Sequence, residues 1–253
     1  MLLPRRLAHG QPAELVDHLG ELRARVLVSL IALAVGFGVA FAFHEHLVEW
    51  LTRPLPDGRR PVTLGVAEPF TTSLKLSLVA GFALAFPIIL WQFWSFFAPA
   101  FQRSTERALA GFVALATVLL GAGVAFGYKI ALPASVKFLT NYDSELYDIQ
   151  VRASSYYSFA LLVLASVGVV FELPIFILAL VRLGITSTAK LRRNRRIGYV
   201  AVAALAVALP GVDPVTTAME MIPLVILFEA SIWFSLIFER RWLAAAQAAP
   251  SGA

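Results

Sequence analysis

Four acidic side chains stand where acids are scarce, and each could do chemistry. Glu172 interrupts a long stretch otherwise free of charge, and Glu229, with Glu220, interrupts another. Glu172 lies ten residues before Arg182, and Glu229 lies ten residues before Glu239. At about 1.5 Å per residue in a helix, each would sit roughly 15 Å inside its stretch, near the middle of an apolar layer about 30 Å thick. A carboxylate at that depth costs several kcal/mol unless it is protonated, paired or wet. Both glutamates should therefore face a helix interior or a water-filled recess, where they would carry protons or meet a polar partner. The plainer alternative is a protonated glutamate hydrogen-bonded to a neighbouring helix. The other two acids, Glu21 and Glu106, belong to the most basic parts of the chain. Glu21 can pair with Arg25 one helical turn on. Together with Glu106 it could grip two guanidinium groups, because a carboxylate matches the planar guanidinium fork through bidentate hydrogen bonds.

Other chemistries lack residues. The chain has no Cys, which removes disulfides, thiolate metal sites and cysteine nucleophiles. His44-x-His46 with Glu45 or Glu49 offers metal-ligand types. A site needs three or four convergent ligands, however, so no metal is expected and the pair reads as interfacial histidines. No phosphate-binding loop, nucleophile triad or paired catalytic carboxylates occur in a supporting context. The chain is read as a non-enzyme without a cofactor.

The elements that must position these acids are apolar. Of 253 residues, 59% are hydrophobic and 15% charged, with a mean hydropathy of +0.77. Soluble domains run at about 45–50% and about 25%, so one water-soluble core cannot absorb this composition. The fold predicted is an all-α integral membrane protein, because strand-type alternation is absent. Six transmembrane helices are expected over 26–44, 73–98, 107–129, 154–181, 197–212 and 215–238, within a single membrane domain. The fifth and sixth are short. Leu15, Leu19, Leu22 and Val26 recur on one side of the preceding segment, with Asp17, Glu21 and Arg25 opposite. That pattern predicts an amphipathic helix over 12–25 lying on the membrane surface. Residues 240–253, Ala-rich and ending Pro-Ser-Gly-Ala, read as a disordered cytoplasmic tail.

Orientation follows from the 21 Lys and Arg residues. Fourteen fall on one face and seven on the other, which places both termini in the cytoplasm. The run Arg192–Arg196 is most simply a topology signal, so no nucleic acid is expected. Pro87, Pro174 and Pro223 lie inside spans and should kink them. Gly123-x-x-x-Gly127 fits a close helix contact.

Several motifs then fall in the order of a known family. Asp17-His18-Leu19-Gly20-Glu21-Leu22-Arg23-Ala24-Arg25 resembles the opening signature of TatC, the receptor subunit of the twin-arginine protein translocase. Glu68-Pro69-Phe70 with Lys75 is similar to the family's second signature, which continues through Phe86-Pro87, Trp91-Gln92-Phe93-Trp94-Ser95-Phe96 and Pro99. Phe171-Glu172-Leu173-Pro174 matches the span-four motif. Leu183-Gly184-Ile185-Thr186, Leu191-Arg192-Arg193 and Arg196 match the loop that follows. Pro210, Asp213, Pro223 and Phe228-Glu229 match the last hairpin. The chain departs from the family between Pro99 and Glu106, where the usual Tyr is missing and the run is one residue longer. It departs again at Leu209, where a Thr is common.

The resemblance implies six helices in a concave, glove-like arrangement in the bacterial cytoplasmic membrane. It implies binding of twin-arginine signal peptides on folded cargo, and export driven by the proton motive force. The partners it implies are the single-span TatA and TatB subunits, further copies of the same chain, and membrane lipid. By that similarity Glu21, Arg23, Glu106, His18 and Leu22 would bind the signal peptide. Glu172 and Glu229 would be the intramembrane polar residues, and Pro210 and Asp213 would belong to a partner-binding hairpin. The main alternative is a proton-coupled small-molecule transporter using Glu172 and Glu229. Such a transporter would have pseudo-symmetric halves, and the sequence shows none.

Overall fold

A computed structural model describes residues 15–58, 60–97, 106–146, 149–182, 184–208 and 214–247. Among them every long element is an α-helix: α1 Leu15–Ala42, α2 His44–Thr52, α3 Glu68–Phe97, α4 Glu106–Phe126, α5 Leu132–Asn141, α6 Ala153–Val170, α7 Leu173–Arg182, α8 Thr188–Arg193, α9 Arg195–Ala208 and α10 Pro214–Gln247. The described residues contain no β-strand, only an isolated parallel bridge between Val62 and Arg152.

Five stretches are long and apolar enough to cross a membrane: Leu19–Ala42, Glu68–Phe96, Leu109–Asn141, Ala153–Arg182 and Glu220–Ile237. Their outer faces are greasy, as lipid-facing helices require. Leu30, Val35, Leu84, Val118, Leu162, Val169 and Ile226 are all exposed. Six spans were expected. The described part of the fifth, α9, has 14 residues, about 21 Å of helix, and is too short to count by length.

Several boundaries moved. The third stretch was expected to end at residue 129, where Lys129 closes the charge-free run. Instead the chain continues through a π-helical turn, Gly127–Ala131, into α5. A wider turn can absorb the missing N–H of Pro133, near the start of α5, without ending the helix. The segment over 12–25 is, in its described part, the first turns of an uninterrupted α1. α10 runs to Gln247, into the expected tail, while its apolar span ends at Ile237, beside the expected 238. Helical structure also passes through Pro87 and Pro223. Only before Pro174 does a helix stop, at the turn of Phe171 and Glu172.

The chain divides into two compact units. In the first, residues 1–118 and 147–161, α1 packs along α3. A Cβ added to Gly36 would lie 2.5 Å from the Gly81 carbonyl oxygen, and one added to Gly81 would lie 2.5 Å from the Phe37 nitrogen. Backbone meets backbone there. Lipid tails are as apolar as leucine, so such helices associate through van der Waals contact between small residues. The Tyr156 hydroxyl donates to the Leu51 carbonyl at 2.6 Å, and the Thr52 and Tyr157 hydroxyls lie 2.8 Å apart.

In the second unit, residues 119–146 and 162–253, α10 packs on α7 and α9. Val170, Ile177, Val202, Ala206, Leu224, Phe228 and Ile232 form its core. The expected contact of the Gly123-x-x-x-Gly127 run is present. A Cβ on Gly123 would lie 2.9 Å from the Gly168 Cα, so α4 and α6 touch at their backbones.

Candidate functional site

The acid-bearing start of α1 is built against α3. Glu21 and Arg25 are 7% and 5% exposed, and they are the most deeply buried charged residues at this end of the helix. Four residues make one turn, so the arginine reaches back along its own helix. Its Nε donates to Glu21 Oε1 at 2.9 Å, and its Nη2 bonds the same oxygen. Its Nη1 donates to the Gln92 side-chain oxygen on α3 at 3.3 Å. Around the pair, Leu19, Leu22 and Val26 are exposed, and Arg23 points outward. The apolar face of this segment is turned outward, and the ion pair is turned towards α3.

Glu106 opens α4 and His18 lies in the first turn of α1. Their side chains fall outside the described residues, as do Pro210 and Asp213 altogether.

The two intramembrane glutamates differ. Glu172 sits in the turn between α6 and α7, and its Oε1 is buried without a hydrogen-bond partner among the described residues. Glu229 lies within α10. Its carboxylate receives Arg195 Nη2 at 3.2 Å and the Tyr199 hydroxyl at 2.5 Å. Its charge is thus met by the first residue of α9.

A third buried acid carried no role in the sequence. Glu68, 6% exposed, opens α3 and gathers donors from far along the chain. It accepts from the backbone N–H groups of Leu64 at 3.0 Å, Gly65 at 3.1 Å and Ser154 at 2.8 Å, and from Arg152 Nε at 3.2 Å. The Val62–Arg152 bridge brings these donors together. Ser154 lies in the first turn of α6, where free N–H groups and the helix dipole favour a carboxylate. Arg152 is 84 residues away, so no local spacing announces this cluster.

Comparison with known proteins fits this construction. The family model described as "Sec-independent protein translocase protein (TatC)" matches residues 17–223. The chain belongs to the TatC family. A TatC of Desulforapulum autotrophicum is 35% identical over 229 residues, covering 89% of this chain and 85% of that protein. That of Escherichia coli K12 is 32% identical, with 88% of each chain covered. The crystal structure of a twin-arginine translocase receptor TatC in DDM superposes with a TM-score of 0.74 at 32% identity. It covers 86% of this chain and 99% of the other.

The chain is accordingly a Sec-independent protein translocase subunit and a multi-pass protein of the bacterial inner membrane. The small-molecule transporter alternative finds no support. His44 Nδ1 lies 2.8 Å from the Phe41 carbonyl oxygen, and its ring stacks on Phe41. Among the described residues no three His, Cys, Asp or Glu side chains converge. For this TatC chain, sequence spacing anticipated the Glu21–Arg25 pair. It missed Gln92, Tyr199 and the Glu68 cluster, whose partners come from other helices.

Proposed function

We propose that this chain is the signal-peptide receptor and core subunit of a twin-arginine translocase. In this role it binds the paired arginines of leaders on folded cargo at its cytoplasmic face. The observation that carries the proposal is the Glu21 carboxylate, set on α1 among exposed Leu19, Leu22 and Arg23 and already shaped to hold a guanidinium. Glu106, at the start of α4, supplies the second acid. His18, Arg23 and Leu22 complete the surface that meets the leader. Family membership supports these assignments. So does the chemistry, since an arginine stays charged at any physiological pH and presents a fork that a lysine lacks.

The finer architecture belongs to the same proposal. It comprises six spans, with α9 as the short fifth, both termini cytoplasmic by the excess of Lys and Arg on that face, and the glove-like arrangement of the family. TatA and TatB, further copies of the chain and lipid are the partners, and export draws on the proton motive force. Pro210 and Asp213 contribute to a partner-binding hairpin. Glu172, in a helix break with a buried oxygen unmet, is the intramembrane group that meets a partner helix. Glu229, tied to Arg195 and Tyr199, holds α9 to α10. The chain performs no covalent catalysis in this role.

The test is photocrosslinking of a twin-arginine leader to membranes holding the full chain. Glu21→Ala or Glu106→Ala weakens the crosslink while the protein still inserts. An undiminished crosslink in both would remove these acids from the site. Glu172→Ala impairs export of a folded reporter more than it impairs the crosslink, and full export by that variant would make Glu172 purely structural.

A further inference from the structure

We propose that Arg25 is a built-in stand-in for the arginine of an incoming leader. Binding is then an exchange of one guanidinium for another on Glu21, and Arg25 sets the selectivity for arginine over lysine. This rests on the assignment of Glu21 to the leader site.

The geometry carries the argument. Arg25 places both Nε and Nη2 on Glu21 Oε1, the grip that a leader arginine would make. The two side chains are almost wholly buried. A buried carboxylate deprived of its cation is strongly destabilised, whereas one cation replaced by another of the same shape keeps the carboxylate neutralised. The empty receptor therefore keeps Glu21 occupied, and a ligand enters by substitution. Gln92 gives the displaced arginine somewhere to go. Its neutral amide oxygen already accepts from Nη1 at 3.3 Å, so Arg25 can pivot towards α3 without losing every acceptor. Exposed Leu19, Leu22 and Val26 flank the pair and offer an apolar surface to the rest of the leader.

Selectivity follows from the competition. To displace a guanidinium that makes two hydrogen bonds on one oxygen, a ligand must offer at least as good a fork. An ammonium is a point charge with a tighter hydration shell, so it competes poorly. Arg25 thus acts as a threshold that a lysine-bearing leader fails to pass.

The experiment uses the full chain in lipid nanodiscs and fluorescently labelled peptides: a leader with two consecutive arginines, and the same leader with two lysines. Arg25→Gln binds the arginine peptide about tenfold more tightly, the factor expected from one charge-assisted hydrogen bond no longer opposing it. It gains more for the lysine peptide, so the arginine-to-lysine preference falls. In a Glu21→Gln background, Arg25→Gln changes neither affinity. Arg25→Lys, which keeps a cation on Glu21 and guards against misfolding, shifts both in the same direction by a smaller factor. If Arg25→Gln and Arg25→Lys leave affinity and preference unchanged, or weaken both, the exchange is overturned. The Glu21 assignment would still stand in that case, provided Glu21→Gln alone reduces binding. Should Glu21→Gln bind the arginine peptide as well as wild type, the site itself is misplaced and the exchange falls with it.

Discussion

Two buried glutamates bracket α3, and each meets an arginine. Glu68 is the first residue of the helix, and Glu21 lies on α1 near Gln92, about 36 Å further along α3 at 1.5 Å per residue. Their surroundings are opposite in kind. Three of the donors to Glu68 are backbone N–H groups fixed by a turn, a bridge and a helix start. Glu21 instead accepts from the flexible side chain of Arg25, through Nε and Nη2. Backbone donors cannot swing away, whereas a side chain can. The first cluster is a clasp that holds the loops between spans. The second is the grip that, as proposed, a ligand takes over. Burial and an arginine partner are common to both pairs; the kind of donor, backbone at one and side chain at the other, sets them apart.

That contrast can be broken by substitution. Glu68→Ala has the largest expected effect: it strands Arg152 and three N–H groups at once, so the thermal midpoint in detergent falls furthest and export is lost because the chain no longer assembles. Were the midpoint to hold while leader binding disappeared, the clasp would be a binding site instead. Next comes Gly81→Val at the crossing that joins the two ends. Its Cβ would press on the Phe37 backbone, and overpacking of this kind costs about 1–3 kcal/mol. Chemical denaturation in micelles should show that loss, and an unchanged midpoint would mean that α1 and α3 do not need their close approach. The smallest effect is a control. Glu49 and Arg53, 3.3 Å apart and both well exposed, form a pair worth under about 1 kcal/mol. Glu49→Ala should therefore leave stability and export close to wild type, and a larger loss would show that exposure fails to predict which ion pairs matter.

The same lesson appears at the two Phe-Glu dipeptides. Phe171-Glu172 and Phe228-Glu229 are alike in sequence and equally far from the end of their apolar stretch, and spacing along the chain puts both glutamates deep in the membrane. Glu172 falls in a helix break before Pro174, where the proline cannot supply an N–H. Glu229 remains in a continuous helix and is reached by Arg195 and Tyr199 of α9. Pro174 marks the break at Glu172, but nothing near Glu229 in the sequence announces its partners on α9.

The sequence by itself determined the class of the molecule and the neighbourhood of its grip. Charge-free stretches of about 20 residues are best buried in lipid, and residues four apart share a helix face, so five apolar spans and the Glu21–Arg25 pair were legible as local properties. The inward orientation of that pair, the Glu68 clasp and the partners of Glu229 were decided only by tertiary structure. Each depends on which groups from distant segments arrive beside a buried charge. In a low-dielectric interior a charge must find partners wherever the fold brings them, and one-dimensional spacing does not encode those arrivals.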